Sequence, residues 1–240
     1  MKFDWLYFFK LFPQLIKYVP LTLGMAICAM AIAVVLGIIL TLVYLYTIKF
    51  LRGIVKIYIS FFRGLPTLVL LFIVYYGLPE IFPSLKGIPA IIAAIFGLGI
   101  KESAYLIEIF RAGITSVDAG QIEAGESLNI RYYKIFQHII LPQASLNALP
   151  ATGNIFVSLL KETSLAYVLG VTELFADGKL LASASLRFFE VYVAVGIIYW
   201  ILIIIYSYLQ NLAEKALKVP YERGQNGFSK NKKSFIRIKS

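Results

Sequence analysis

The sequence predicts an all-α integral membrane protein: a helical bundle of about five transmembrane helices with the N-terminus outside and the C-terminus in the cytoplasm. Three observations carry that prediction. The chain is 60% hydrophobic and only 15% charged, with a mean hydropathy of +0.80, outside the range of ordinary soluble domains. Residues 18–48 and 191–213 contain no charged side chain, and each exceeds the roughly 20 apolar residues that cross a hydrocarbon core of about 30 Å. Runs such as AIAVVLGIILTLV are apolar on every face, whereas the strands of a membrane barrel alternate.

Taken in order, residues 1–18 (MKFDWLYFFKLFPQLIKY) lack the short apolar core and small-residue cleavage site of a signal peptide. Trp5, Tyr7 and Phe8 beside Lys10 and Lys17 read as an interfacial lead-in. The first span follows at 18–48. Three apolar regions interrupted by a few charges, about 57–78, 88–110 and 147–171, read as the second, third and fourth spans, and 191–213 as the fifth. Pro66 frees a backbone carbonyl and kinks the second span. Gly97 and Gly99 allow close helix packing in the third. Residues 19–213 thus form one transmembrane domain with a polar loop at 112–144, followed by a basic tail at 214–240.

Positive charge sets the orientation. Lys2, Lys10 and Lys17 before the first span balance Lys49, Arg52 and Lys56 after it. The last span breaks the tie: Lys215, Lys218, Arg223, Lys230, Lys232, Lys233, Arg237 and Lys239 follow it, against Lys179 and Arg187 before. Counting back through five spans puts the loop at 112–144 in the cytoplasm. The net charge of +10 is then a topology and anchoring signal and does not point to nucleic acid.

No catalytic or metal constellation is visible. Cys28 stands alone in mid-span and reads as a packing residue, and His138 stands alone in the loop as a surface or interface residue. There is no Ser-His-Asp arrangement and no phosphate-binding G-x-x-x-x-G-K-[ST] loop. No metal or cofactor is expected to be held by this chain.

The loop stretch EAGESLNIRYYKIFQHIILP has its own logic. Asp118 is placed to cap a helix, with Gln121 in the reciprocal capping position three residues on. The helix runs to Leu128, and Asn129 stands where a left-handed residue ends it. A second helix follows from about Arg131 to Ile140, with Pro142 ending or kinking it. Small Ala124 and Gly125 beside Glu123 and Glu126 make the first helix a docking surface; a plain inter-span loop is the alternative.

In the stretch, Glu123, Ala124 and Gly125, then Asn129, then Ile139, Leu141 and Pro142 keep the spacing of the E-A-A loop of membrane subunits of ABC importers, which it resembles. Gly125 stands for the second alanine and Asn129 for the glycine. FFRGLPTLVLLFIVYYGLP, ESAYLIEIFRAGI and KETSLAYVLGVTEL are similar to the polar amino-acid branch of that family. There the second-span motif usually reads R-G-T-P with a glutamine four residues later; here Leu65 and Leu70 replace the polar residues.

The resemblance implies a permease subunit in the bacterial cytoplasmic (inner) membrane. Its partners would be an ABC ATPase dimer that binds the ATP, a second permease subunit, identical or similar, and an extracytoplasmic amino-acid-binding protein. Asp118, Gln121, Glu123, Ala124, Gly125, Leu128 and Asn129 would couple to the ATPase. Hydrolysis would belong to the partner, so the chain is not expected to be an enzyme. Intramembrane charges are expensive and turn inward. Asn154, Ser158, Lys161 and Glu162 share one face of the fourth span, and Glu102 and Tyr105 one face of the third. With Arg63 and Thr67 they are the candidate lining of a substrate pathway. The competing reading pairs Arg63 or Lys101 with carboxylates on neighbouring spans and leaves Lys161 and Glu162 near the membrane surface. A secondary transporter or channel is the alternative function, but no internal repeat of the kind such transporters show is visible.

Overall fold

A computed structural model describes residues 3–237, with side chains as far as Leu217. The expectation for the basic side chains from 218 onward, and for Lys2, lies outside the described residues. Among the described residues every regular element is helical. Among these residues three helices are long and apolar enough to cross a membrane, Trp5–Tyr46, Ala90–Thr115 and Phe188–Leu217, and there are up to five spans when each of two bent pairs counts as one.

Asp4 starts the first helix by accepting the Tyr7 N–H at 3.0 Å. Helix α1 (Trp5–Leu15) then passes through one 3₁₀ turn, Ile16–Tyr18, into α2 (Val19–Tyr46). The segment read as an interfacial lead-in is therefore helical from Trp5. It buries Phe8, Leu11 and Leu15 against α10 (Leu174–Ser185) and the start of α11 (Phe188–Arg237).

The second span departs from a simple kink. Helix α3 (Lys49–Gly64) ends at Leu65 and Pro66, both extended, and α4 (Thr67–Phe72) sets off at 108° to it. Proline disfavours helical backbone at the residue before it, so the chain breaks at Leu65. Leu71 then packs α4 on the third span beneath Gly97, where a Cβ would stand 3.0 Å from Leu71 Cδ2.

Two other Leu-Pro steps are accommodated differently. Before Pro79 and before Pro142 the helix widens into a single π turn, Ile73–Gly77 and Phe136–Ile140. The Leu78 N–H reaches back to Ile73 and the Leu141 N–H to Phe136, five residues in each case. This one-residue slip relieves the clash that a proline ring makes with an ordinary α-helical carbonyl. As a correction to the sequence expectation, Pro142 therefore does not end the second loop helix. Helix α8 (Tyr132–Ile135) runs through the π turn into α9 (Leu141–Glu162). A 3₁₀ turn, Thr163–Leu169, and Gly170 at φ +86° end the run before α10, which is bent 55° away. Short α5 (Leu78–Ile81) closes the second span.

The buried centre is α6 (Ala90–Thr115), clasped by α2, α4 and α9. At Gly99 a Cβ would lie 2.9 Å from both the Ala29 carbonyl oxygen and Ile32 Cβ, so α2 and α6 touch backbone to side chain. Helices α2 and α6 run parallel, with Ala29 beside Gly99 and Gly37 beside Leu106. Helix α9 runs against α6, with Ala144 beside Gly113 and Glu162 beside Lys101. Helix α11 runs against α9, with Tyr206 4.5 Å from the Phe156 ring. The C-terminal ends of α2 and α6 and the start of α9 therefore share one end of the bundle, where α7 (Ala119–Ser127) and α8 also lie. Cys28, read as a packing residue, is instead exposed on α2.

Candidate functional site

The loop at that end is a helix-turn-helix whose turn is set by local chemistry. Asp118 Oδ1 accepts the Gly120 N–H at 2.8 Å. Asn129 is left-handed at φ +57°, and the Ile130 and Asn129 N–H groups return to the Gly125 and Glu126 carbonyls at 3.1 and 2.8 Å. That pair of bonds is a Schellman termination. The reciprocal half of the capping box is not made. Gln121 instead pairs its side-chain amide with that of Gln143 at 2.6 and 3.3 Å, tying α7 to the start of α9.

The two family departures have different roles. Asn129 keeps the backbone conformation that glycine adopts most readily. Gly125 is buried, and a Cβ there would stand 2.8 Å from Ile135 Cδ1, so the missing methyl lets α7 close onto α8. Ile135 joins Val117 and Ile140 in a small core beneath the loop. Glu123, Ala124 and Leu128 are exposed, and Leu128 keeps 75% of its surface. Ala124, Gly125, Leu128, Ile130, His138 and Ile139 line a shallow groove beside them. His138 is exposed, its Nδ1 3.0 Å from the Lys134 carbonyl oxygen.

A second constellation lies inside the bundle. Lys101 is buried, its Nζ 2.8 and 3.1 Å from the two oxygens of Glu162 and 3.2 Å from Glu102 Oε1. One turn along α6, the Tyr105 ring lies 5.6 Å from Lys101 Nζ and 5.0 Å from the Arg63 guanidinium carbon. Arg63 in turn pairs with Glu108. Two cations, three carboxylates and a tyrosine thus form one ladder along α6, reached from α3 on one side and α9 on the other.

Of the pathway candidates, the structure brings Arg63, Glu102, Tyr105 and Glu162 together. Thr67 opens α4 next to the Leu65–Pro66 break. Asn154 and Lys161 are exposed on α9 and Ser158 is half-buried; among the described residues no side-chain bond joins these three to the ladder. The competing ion-pair reading holds for Arg63 and Lys101, each bonded to a carboxylate on another span. Lys101 is the hub, a role its position in the sequence did not reveal.

Sequence reasoning also passed over a buried knot elsewhere. Glu173 caps α10 by accepting the Ala176 N–H at 2.9 Å, and it receives the hydroxyls of Tyr199 at 3.0 Å and Thr22 at 3.3 Å. Thr22 accepts the Leu174 N–H at 3.1 Å. The one available signal was an acidic residue directly before an apolar helix.

Known proteins match this architecture. An amino-acid permease of Bacillus subtilis (strain 168), described as probable and named YxeN, is 54% identical over 91% of this chain and 97% of its own length. The L-cystine transport system permease protein TcyL of the same organism is 38% identical over 86% of this chain and 88% of its own. The crystal structure of an amino acid ABC transporter with histidines superposes with a TM-score of 0.82 at 36% identity, covering 90% of this chain and all of that one. An inward-facing methionine ABC transporter, at 20% identity and a TM-score of 0.68, shares the fold. The secondary-transporter alternative finds no support in these relatives. A family model described as the binding-protein-dependent transport system inner membrane component matches residues 33–219, and the chain belongs to that family.

Proposed function

We propose that this chain is the permease subunit of an ATP-driven importer of polar amino acids, and that α7 is the element through which a separate ATPase drives it. The observation that carries this reading is the division of labour on α7. Gly125 faces inward to fix the helix on α8, while Glu123, Ala124 and Leu128 stay open to solvent on a rigidly capped helix. A docking element needs that combination of an exposed face and a fixed base.

In this reading the loop lies in the cytoplasm, on the side favoured by the positive charges of the sequence, and the N-terminus lies outside. Residues 19–213 form the transport domain in the bacterial cytoplasmic membrane. The ATP sits on the partner ATPase dimer. A second permease, identical or similar, completes the pathway, and an extracytoplasmic binding protein delivers the amino acid. Closure of the ATPase dimer pushes on α7, and the Gln121–Gln143 pair and the unbroken α8–α9 helix pass that displacement to the fourth span. The bundle then shifts between two arrangements, biased by the partner's binding energy.

The ladder supplies groups of both signs for a zwitterion: Glu102 and Glu162 for an ammonium, and Lys101 and Arg63 for a carboxylate. Thr67, Tyr105, Asn154, Ser158 and Lys161 extend the proposed lining toward the second permease.

The test is co-purification. Replacing Glu123 and Ala124 together by arginine should abolish recovery of the ATPase with the permease while leaving the permease folded. Undiminished recovery would remove α7 from the coupling role.

A further inference from the structure

Helix α3 carries two opposed faces, of which the transport reading uses only Arg63. Its exposed apolar side chains Phe50, Ile54, Ile57 and Phe61 recur at four, three and four residues, forming one stripe. Arg52, Lys56 and Arg63 recur at four and seven, forming a second stripe on the opposite side. Between the two, Val55 is buried and Tyr58 fixes the helix to α6, its hydroxyl meeting Ser103 Oγ at 2.6 Å. Such opposed faces belong to helices that lie in the membrane interface.

On the basic side the chain forms a cavity of about 360 Å³, lined by Tyr44, Lys56, Arg63, Glu108 and Arg111 among others. Its one carboxylate, Glu108, is already paired with Arg63. Among the described residues Lys56 and Arg111 in the lining, and Arg52 beside it on Tyr44, have no acidic partner within ion-pair distance, so the cavity keeps a surplus of positive charge. Two of these cations are held in place by one aromatic ring. The Arg52 and Arg111 guanidinium carbons lie 5.8 and 5.9 Å from the centre of the Tyr44 ring, and Arg52 Nε donates to the Tyr44 carbonyl at 3.0 Å. The depth is also informative. Tyr44 stands near the end of the long Trp5–Tyr46 helix and Arg111 near the end of α6, so the cavity opens at one boundary of the membrane.

We infer that this cavity binds the phosphate of an anionic phospholipid, with the apolar stripe of α3 resting on its acyl chains. Guanidinium and ammonium groups recognise phosphate oxygens by charge-assisted hydrogen bonds, and basic cavities between membrane helices are suited to acidic headgroups. The bound lipid would neutralise the surplus charge and anchor α3, the first half of the bent second span, beside its 108° break. The inference rests on the membrane placement of the chain, not on its transport role.

The experiment is native mass spectrometry of the full-length chain, purified in detergent with equimolar phosphatidylglycerol and phosphatidylcholine. Wild type should retain phosphatidylglycerol with a preference of about tenfold or more. The double variant Lys56→Gln/Arg111→Gln should retain the two lipids about equally, and Lys56→Arg/Arg111→Lys should restore the preference. Arg63 and Glu108 are left intact, so that loss of the ladder is not confused with loss of the cavity. The inference is overturned if wild type shows no preference or if the glutamine variant keeps it. It is also overturned if inorganic phosphate alone binds stoichiometrically and displaces the phospholipid, which would make the cavity a site for soluble anions. Should the glutamine variant fail to fold, the wild-type preference and its response to inorganic phosphate decide alone.

Discussion

Lys101→Met tests the ladder where it is most concentrated. Methionine keeps much of the length of the side chain and removes its charge, stranding the carboxylates of Glu162, 2.8 Å away, and Glu102, 3.2 Å away. At an effective dielectric constant near 20, one such contact at about 3 Å carries about 5 kcal/mol of Coulomb attraction, much of it offset by the cost of desolvating the ions. Removing one partner of a buried pair costs about 3–5 kcal/mol, because the remaining charge is left uncompensated. The side chains of Lys101 and Glu102 are 8% and 3% exposed, but Glu162 is 22% exposed, so partial hydration places the loss at the lower end, about 3 kcal/mol. For a chain of this size that corresponds to a fall of about 6–12 °C in Tm. Thermal unfolding of the detergent-purified chain, followed by tryptophan fluorescence, reads it. Adding Glu162→Gln should recover about 1–3 kcal/mol, the coupling expected of residues in direct contact. A Lys101→Met variant that melts within about 2 °C of wild type, or a double variant no more stable than the single, would refute the hub assignment.

Other outcomes follow from the same geometry. Asn129→Gly should leave the loop intact, whereas Asn129→Val should destabilise it by about 1–2 kcal/mol because a β-branched residue is strained at φ +57°; proteolysis within 119–140 reports the difference. Thr22→Val should cost about 1–3 kcal/mol, since the Leu174 N–H and Glu173 lose a buried partner, and denaturant titration measures it. Gly99→Val should cost at least about 1–3 kcal/mol by overpacking α2 against α6, with Gly99→Ala milder in the same melting assay. Pro66→Ala should reduce the 108° break by letting Leu65 become helical, read as a lengthened distance between spin labels at 57 and 76.

The sequence made the spans and the loop legible because both are encoded locally. An uncharged run of membrane length needs no partner to be recognised, and Asp118 and Asn129 dictate helix ends through their own side chains and backbone. The depth of the break at Pro66 was not legible. Proline forces Leu65 out of the helix, but the direction the chain then takes is not written locally, and α4 seats Leu71 against Gly97, a contact between distant segments. The π turns before Pro79 and Pro142 were hidden for a similar reason: a Leu-Pro step reads as a helix stop unless neighbouring spans hold the chain in line. The ladder was half visible. The charges were evident, but which cation takes which carboxylate depends on helix rotation, and residue order alone did not show that Lys101 would take Glu162 while Arg63 took Glu108. Thr22 carried no signal at all, since its partner Glu173 is 151 residues away.

The most direct test of the account is uptake by reconstituted vesicles. The permease, an ATPase partner, a second permease where the first does not pair with itself, and an amino-acid-binding protein are combined with a radiolabelled polar amino acid. Accumulation should require ATP inside the ATPase-bearing face, should stop when the ATPase is omitted, and should fall to background when Glu123 and Ala124 are replaced by arginine. Accumulation by the permease alone, driven by an ion gradient without the ATPase, would contradict it.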